Sequence, residues 1–170
     1  MDNTKGVIVQ IWDDDAMPVD MSGNRAEIVC SSNSTVARSN WARSFIPYFS
    51  AAARDVRKRL LAMPGLPKSI SAESLSLMDD KDFLNIFNIL LQFYAIVAPK
   101  QFFWYTQKAI DKETRAAHLA ECLKDKIYLN MPVDNPINDI DAVLHLEQHF
   151  PQTYGPVTYK GVDGNYHTTV

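Results

Sequence analysis

The pattern of apolar and polar positions changes twice along the chain and predicts β-strands at both ends with helices between them. Near the N-terminus, residues 7–12 and 26–30 are short apolar runs rich in β-branched side chains, separated by a loop of Asp, Pro and Gly. In the C-terminal segment, apolar and polar residues alternate on both sides of residues 162–165, which is typical of a hairpin turn. We therefore expect short antiparallel strands from both terminal segments.

In the middle of the chain, apolar residues recur at helical spacing and are punctuated by proline and by capping residues. Helices are predicted over residues 44–63, 79–98, 100–110, 111–127 and 135–150. In the helix at 111–127, His118 is expected to lie in solvent. In the helix at 135–150, Asn135 and Pro136 are the start signals. The fold class predicted by this pattern is α+β but mainly α, with a core of about four to five helices.

The helix at 79–98 is the strongest candidate for the centre of the fold. Its polar positions form one narrow stripe, and apolar residues cover the rest of its circumference. The stripe consists of Lys81, Asn85, Asn88, Gln92 and Ala95. The apolar run at 83–98 is shorter than the roughly 20 residues of a membrane span, so we expect a core helix and no transmembrane segment.

Length and composition indicate one folded domain over residues 1–170. A hydrophobic fraction of 46% in 170 residues is enough for a single core. Within that domain we expect a β-hairpin region at 1–32, a helical core at 33–150 and a hairpin or extended arm at 151–170.

Charge and cysteine content restrict the setting of the protein. The formal net charge of −3 does not suit a protein that coats nucleic acid over its whole surface. Cys30 and Cys122 have no CxxC spacing, and the first ten residues do not resemble a signal peptide. These features predict free thiols and an intracellular, cytoplasmic protein.

Two acidic residues after the first apolar run resemble a catalytic motif. Asp13 and Asp15 have the Asp-x-Asp spacing with which phosphotransferases of the haloacid-dehalogenase type begin, one as nucleophile and one as acid–base group beside magnesium. Met17 departs from that pattern, and the chain lacks the strand–helix alternation of a parallel sheet. A solvated turn that ends a strand is the favoured interpretation.

The last predicted helix carries a second candidate metal site. Asp141, His145 and His149 are spaced by four residues and share one face. Glu147 follows the first His by two residues rather than one, unlike the zinc-protease pattern. We favour an exposed helix face, and we predict no metal and no cofactor. With neither a glycine-rich phosphate loop nor a GxSxG elbow in the sequence, the protein is predicted not to be an enzyme.

Residues 38–59 carry the strongest charge asymmetry of the chain, with six basic residues against the single acid Asp55. Aromatic residues are interleaved, as in sites for single-stranded nucleic acid. An amphipathic helix with its arginines in solvent explains the same pattern, with an apolar face of Phe49, Ala52, Ala53, Val56 and Leu60. The residues predicted to contact nucleic acid, an anionic membrane surface or an acidic partner are Arg54, Arg57, Lys58 and Arg59.

Residues 102–105 are four consecutive aromatic residues. A helix turns 100° per residue, so four neighbouring rings cannot all enter one core. Aromatic side chains are enriched at interface anchors. The sequence therefore predicts a protein interface at Phe102, Phe103, Trp104 and Tyr105.

These patterns favour a non-enzymatic structural or adaptor protein that associates with itself or with another protein. A virion-associated matrix or coat protein is one instance of that class. The first alternative is a nucleic-acid-binding accessory protein that uses the basic segment at 38–59 for RNA. The second is a small metal-dependent phosphotransferase or hydrolase that uses Asp13 and Asp15 or the histidines of the last helix.

Overall fold

The computed structural model of the chain describes residues 6–31, 33, 42–130, 138–149 and 156–169. It divides into two compact units, one formed by Met1–Tyr48 with Phe150–Val170 and the other by Phe49–His149. The described part is mainly helical, as predicted, with six α-helices and one two-stranded antiparallel sheet. That the chain forms one domain stays a prediction.

Each predicted helix corresponds to an observed one, and one further helix is present. The α-helices are α1 Ala42–Leu61, α2 Ala72–Ser76, α3 Asp80–Val97, α4 Pro99–Phe103, α5 Lys112–Lys124 and α6 Asp139–His149. A π-helical turn, Trp104–Lys108, follows α4 directly, and a 3-10 turn, Asp14–Ala16, lies near the N-terminus. The predicted start signals of α6, Asn135 and Pro136, lie outside the described residues.

Helix α1 begins earlier than its sequence signals suggest. Pro47 was expected in the first turn, but the helix starts at Ala42 and includes Pro47. Pro47 is the sixth residue of this helix, past the first four whose N–H groups have no helical partner, so it removes one helical hydrogen bond. The predicted apolar face is confirmed, since all five of its side chains are buried: Phe49, Ala52, Ala53, Val56 and Leu60.

Helix α2 was not predicted because it is short and its capping signal is weak. Ser71 and Ser74 form a capping box in which each side chain bonds the backbone N–H of the other. Leu75 is fully buried, and the helix packs against α5. Tertiary contact therefore stabilises a helix that is too short to form alone.

Helix α3 contributes eight buried residues to the second unit, and its central place in the fold stays a prediction. The Asp79 side chain accepts a hydrogen bond from the Lys81 N–H at its start, and the helix ends two residues before Pro99. All five residues of the predicted polar stripe are exposed. No helix in the described part of the chain is both long and apolar enough to cross a membrane.

The predicted C-terminal hairpin is present in the first unit. Strands β1 Thr158–Lys160 and β2 Tyr166–Thr168 pair antiparallel, with Tyr159 opposite His167. Gly164 in the connecting turn has a φ of +76°, a conformation that glycine adopts without strain. On its other side, Thr158 exchanges two backbone hydrogen bonds with Val19, at 2.7 and 2.8 Å.

The predicted N-terminal strands are wrong, because neither 7–12 nor 26–30 is a strand in the structure. The Asp20 carboxylate accepts bonds from the N–H groups of Ser22 and Asn24 and so stabilises a tight turn. This turn pairs Val19 with Arg25. Continuing its register would place residues 26–30 opposite 14–18 rather than opposite 7–12. Residues 14–16 form a 3-10 turn instead, so the expected hairpin has no pair of matching strands.

Candidate protein-interaction site

Three of the four consecutive aromatic residues have exposed side chains. The exposed fraction is 36% for Phe102, 57% for Phe103 and 55% for Trp104. They lie where α4 ends and the chain continues as a π-helical turn. We call these three residues the aromatic surface. Large apolar side chains exposed next to each other are a common mark of interaction sites.

The fourth ring, Tyr105, points inward and anchors this turn to the core. Its ring stacks on the imidazole of His118, with a centroid distance of 4.3 Å and an interplanar angle of 20°. It also meets the ring of Phe87 edge-on at 5.9 Å and lies parallel to that of Tyr94 at 6.3 Å. Because consecutive helical residues point in different directions, an inward Tyr105 directs its neighbours outward.

Arg115 of α5 stabilises the same π-helical turn through hydrogen bonds to its backbone. The turn is closed by a hydrogen bond of 2.9 Å from the Ala109 N–H to the Trp104 carbonyl. Arg115 donates from Nη2 to the Tyr105 carbonyl at 2.6 Å and from Nε to the Ala109 carbonyl at 3.2 Å. Its guanidinium also lies 5.3 Å from the centre of the Phe87 ring. Charged donors thus pair carbonyl groups at a helix end, where backbone partners are lacking.

A small polar cluster lies behind Tyr105. The Tyr94 hydroxyl and His118 Nε2 are 2.8 Å apart, and the Cys122 Sγ lies 3.6 Å from that nitrogen. The prediction that His118 lies in solvent is therefore wrong, since it is half-buried. The buried face of α5 includes Cys122, and His118 is its neighbour one turn away.

The titration behaviour of this cluster favours neutral side chains. Burial raises the pKa of the Cys122 thiol to about 11 and raises that of the Tyr94 phenol as well. Burial also lowers the pKa of the His118 imidazole. At neutral pH the thiol is protonated and the imidazole uncharged, whereas a nucleophilic cysteine needs a thiolate. The cluster is suited to packing and hydrogen bonding.

Of the predicted basic contact residues, Arg57 has a role inside the second unit. Its guanidinium donates from Nε and Nη2 to the Leu123 carbonyl, at 3.1 and 2.7 Å. Leu123 lies in the last turn of α5, where carbonyl groups lack helical partners and a positive charge is favourable. Arg57 therefore caps α5.

The other basic contact residues lie on the outer part of α1. Arg54 Nε is 3.5 Å from the Asp55 carboxylate, and Lys58 and Arg59 are exposed. Contact of these residues with nucleic acid, lipid or an acidic protein stays a prediction. Arg38 and Trp41, which belong to the same basic segment, lie outside the described residues.

The aspartates after the first apolar run lie on a 3-10 turn in the first unit. Asp15 pairs with Lys160 of β1 at 2.9 Å; the Asp15 side chain is 59% exposed and that of Lys160 36%. The hydrogen bond and charge of Lys160 lower the pKa of the Asp15 carboxyl. Asp15 is thus neutralised by an ammonium group.

An open cavity of about 790 Å³ lies beside that ion pair, lined by Trp12, Lys160, Asp163 and His167 among others. His167 Nε2 is 3.0 Å from the Asp163 carboxylate. The hydrogen bond from His167 lowers the pKa of Asp163 to about 2. Lys160, Asp163 and His167 of this lining each pair with a side chain of opposite charge type.

The second candidate metal site, Asp141, His145 and His149, lies on α6. His149 Nδ1 is 2.8 Å from the backbone carbonyl of His145 in the same helix. In the residues that the structure describes, no three His, Cys, Asp or Glu side chains are grouped closely enough to hold a metal ion. The histidines are exposed on the helix, and their Asp partner is exposed as well.

The sequence matches no protein-family model and no curated protein. The functional argument therefore depends on the arrangement of the side chains. In that arrangement the aromatic surface combines large exposed rings with a well-anchored backbone.

Sequence reasoning missed two residues that build this surface, Arg115 and His118. Arg115 is four residues after the helix cap Asp111, so its position on the first turns of α5 was readable. That it meets the preceding turn depends on how the chain folds back after Lys108. No local pattern in the sequence predicts the contact between Arg115 and this turn.

Proposed function

We propose that this protein is a non-enzymatic structural or adaptor protein that associates with other copies of itself through the aromatic surface. The observation that carries the proposal is the exposure of Phe102, Phe103 and Trp104 on one turn. A matrix or coat component of a virus particle is one instance of this class. Aromatic side chains are enriched in the core of protein interfaces.

The energetic argument rests on what these rings gain when they are covered. Burying a fully exposed aromatic side chain contributes about 1.5–3 kcal/mol. Association also costs free energy, since translation and side-chain rotation are lost. Tyr105 and Arg115 reduce that cost because they order the turn before binding. The rings are 36–57% exposed, so each gains only part of this amount, and neighbouring contacts supply the rest of the roughly 8 kcal/mol that a micromolar Kd requires.

The chemistry of the buried cluster supports a non-enzymatic role. Cys122 is the strongest nucleophile by type in the second unit, but it is buried and has a raised pKa. Its neighbour His118 is half-buried and stacked on Tyr105. Both residues therefore serve in the packing behind Tyr105, next to the aromatic surface.

Sedimentation velocity at several concentrations tests the proposal. The wild type is expected to sediment as a dimer or larger species at micromolar concentration, and a Phe103→Ser, Trp104→Ala variant to shift towards the monomer. A Leu77→Ser, Leu144→Ala variant is the matched control, because both leucines are exposed apolar residues of the second unit. It should associate like the wild type.

Three results would contradict the proposal. A wild type that remains monomeric at high micromolar concentration excludes self-association. An unchanged assembly in a folded Phe103→Ser, Trp104→Ala variant excludes this surface as the contact. An assembly that forms when nucleic acid is added and dissociates steeply with salt would favour nucleic-acid binding instead, since counterion release makes such binding salt-dependent.

A further inference from the structure

The N-terminal apolar segment, residues 7–12, is exposed although its composition is that of a buried strand. The exposed fractions of Val7, Ile8, Val9 and Ile11 lie between 81% and 94%. Within the described part of the chain, none of its backbone N–H or C=O groups makes a hydrogen bond. Such a segment is a template for pairing with another strand.

The tight turn at Asp20 explains why this segment does not pair with residues 26–30, its predicted partner. The turn pairs Pro18 with Ala26 through a backbone bond of 2.8 Å, and that register leads residues 26–30 away from 7–12. Strand β1 is flanked by β2 on one side and by Val19 on the other at Thr158. Among the described residues the segment pairs with no strand, and its residues Gln10, Ile11 and Trp12 line the cavity beside the β1–β2 hairpin.

We propose that residues 7–12 of two copies of this protein pair with each other as antiparallel β-strands. Charge complementarity favours a second copy as the partner. In the sequence, Lys5 precedes the segment and three aspartates, 13–15, follow it. Antiparallel pairing with the two Val9 residues opposed brings Lys5 of one copy opposite Asp13 of the other. Parallel pairing would place the aspartates of both copies side by side, which is destabilising.

The alternation of side chains, together with the match of Val7 to Ile11, favours one register for this pair. Val7, Val9 and Ile11 share one face of a strand, and Gln10 lies on the other face. When the two Val9 residues lie opposite each other, Val7 of each copy lies opposite Ile11 of the other. One face of the pair then consists of six β-branched apolar side chains, and the other face carries Ile8, Gln10 and Trp12 of each copy.

This strand pairing adds a second contact to the proposed self-association and does not depend on the aromatic surface. The two contacts belong to different compact units of the chain. Each can therefore be removed while the other is kept.

Disulfide trapping tests the pairing and its register. All variants carry Cys30→Ser, because Cys30 is an exposed free thiol, whereas Cys122 is buried. Directly opposed residues of antiparallel strands have Cα atoms about 4.5–5.5 Å apart, within the range of a disulfide. Val9→Cys alone is therefore expected to form a covalent dimer on mild oxidation.

Two further variants serve as controls for position. In the proposed register the two Val7 residues are about 13 Å apart along the strands, so Val7→Cys alone should not cross-link. A mixture of Val7→Cys and Ile11→Cys proteins should yield a mixed dimer. If Val9→Cys does not cross-link, or if Val7→Cys and Val9→Cys alone cross-link equally, the proposed pairing is wrong.

A charge variant separates this proposal from that for the aromatic surface. Val9→Lys places two lysines opposite each other and should raise the dissociation constant of the strand contact by about tenfold or more. Leu77→Lys, at another exposed aliphatic residue, is the matched control and should have no effect. Unchanged sedimentation of Val9→Lys, with loss of assembly in Phe103→Ser, Trp104→Ala, refutes the strand pairing alone. Loss of assembly in Val9→Lys, with unchanged sedimentation of Phe103→Ser, Trp104→Ala, supports the strand pairing and refutes the aromatic contact. A monomeric wild type refutes both proposals.

Discussion

Replacing Arg115 with Met should loosen the turn that carries the aromatic surface without removing any exposed ring. Arg115 donates two hydrogen bonds, to the carbonyls of Tyr105 and Ala109, and its guanidinium covers the Phe87 ring. Met keeps much of the apolar stem but provides no donor. The two carbonyls then depend on water or remain unpaired.

The magnitude follows from these contacts. A hydrogen bond from a charged donor contributes about 1.5–3 kcal/mol, and a cation over an aromatic ring about 0.5–1 kcal/mol. Both hydrogen bonds are partly buried, so solvent replaces part of what is lost. We therefore expect Arg115→Met to lower the free energy of unfolding by about 2–4 kcal/mol.

Urea denaturation gives the free energy, and amide hydrogen exchange gives the location. The Ala109 N–H closes the π-helical turn, so its exchange should become faster in the variant. Lys108→Met is the control, because Lys108 is an exposed residue of the same turn and the change in charge is the same. Its effect should be within about 0.5 kcal/mol.

The reasoning is refuted if Arg115→Met costs no more than Lys108→Met and leaves exchange at Ala109 unchanged. In that case the stacking of Tyr105 on His118 would be sufficient to order the turn. If the reasoning is correct, Arg115→Met should also weaken self-association, because a less ordered turn loses more entropy on binding.

Two further predictions concern the core. Leu90 is fully buried in α3, so Leu90→Ala should lower the free energy of unfolding by about 2–5 kcal/mol. A reversible urea titration measures this change, and a loss near zero would show that α3 is not central. Burial lowers the pKa of His118 in the folded state, so the unfolded chain binds a proton first as the pH falls below about 6.5. Stability of the wild type should therefore fall from pH 8 to pH 5.5, and His118→Gln should reduce this dependence; equal pH profiles would contradict it.

The helices of the second unit were predictable because local signals agree with long-range packing. In α3, the Asp79 cap, the apolar circumference and Pro99 all indicate the same bounds. Helix α2 lacks such agreement, because its capping residue at the third position is Ser74 rather than Glu or Gln. Its existence depends on the packing of Leu75, which a single segment does not reveal.

The N-terminal strands failed for a different reason. Composition identified residues 7–12 and 26–30 as strand formers, but it does not decide which residues face each other. The turn determines which residues face each other, because Asp20 accepts hydrogen bonds from the N–H groups of Ser22 and Asn24 and so sets the register. A strand former without a matching partner stays unpaired in the monomer.

For the aromatic residues, helix geometry predicted that four consecutive rings cannot share one core, and three are exposed. It did not identify Tyr105 as the inward ring. That choice depends on His118 and Phe87, which lie in other helices and approach Tyr105 only in the folded chain. Which ring of an aromatic run is buried is thus a tertiary property.

The two proposed contacts have a joint consequence that neither has alone. A contact in which both copies use the same surface joins two chains and then stops, so either contact by itself produces a dimer. A chain that carries two such contacts in different units can bind two neighbours at once, which produces a longer array or a closed ring. Loss of either Val9 pairing or the aromatic surface should then reduce the assembly to dimers, and loss of both should produce monomers. The mass of the assembly, rather than its presence, therefore distinguishes a structural array from a simple dimer.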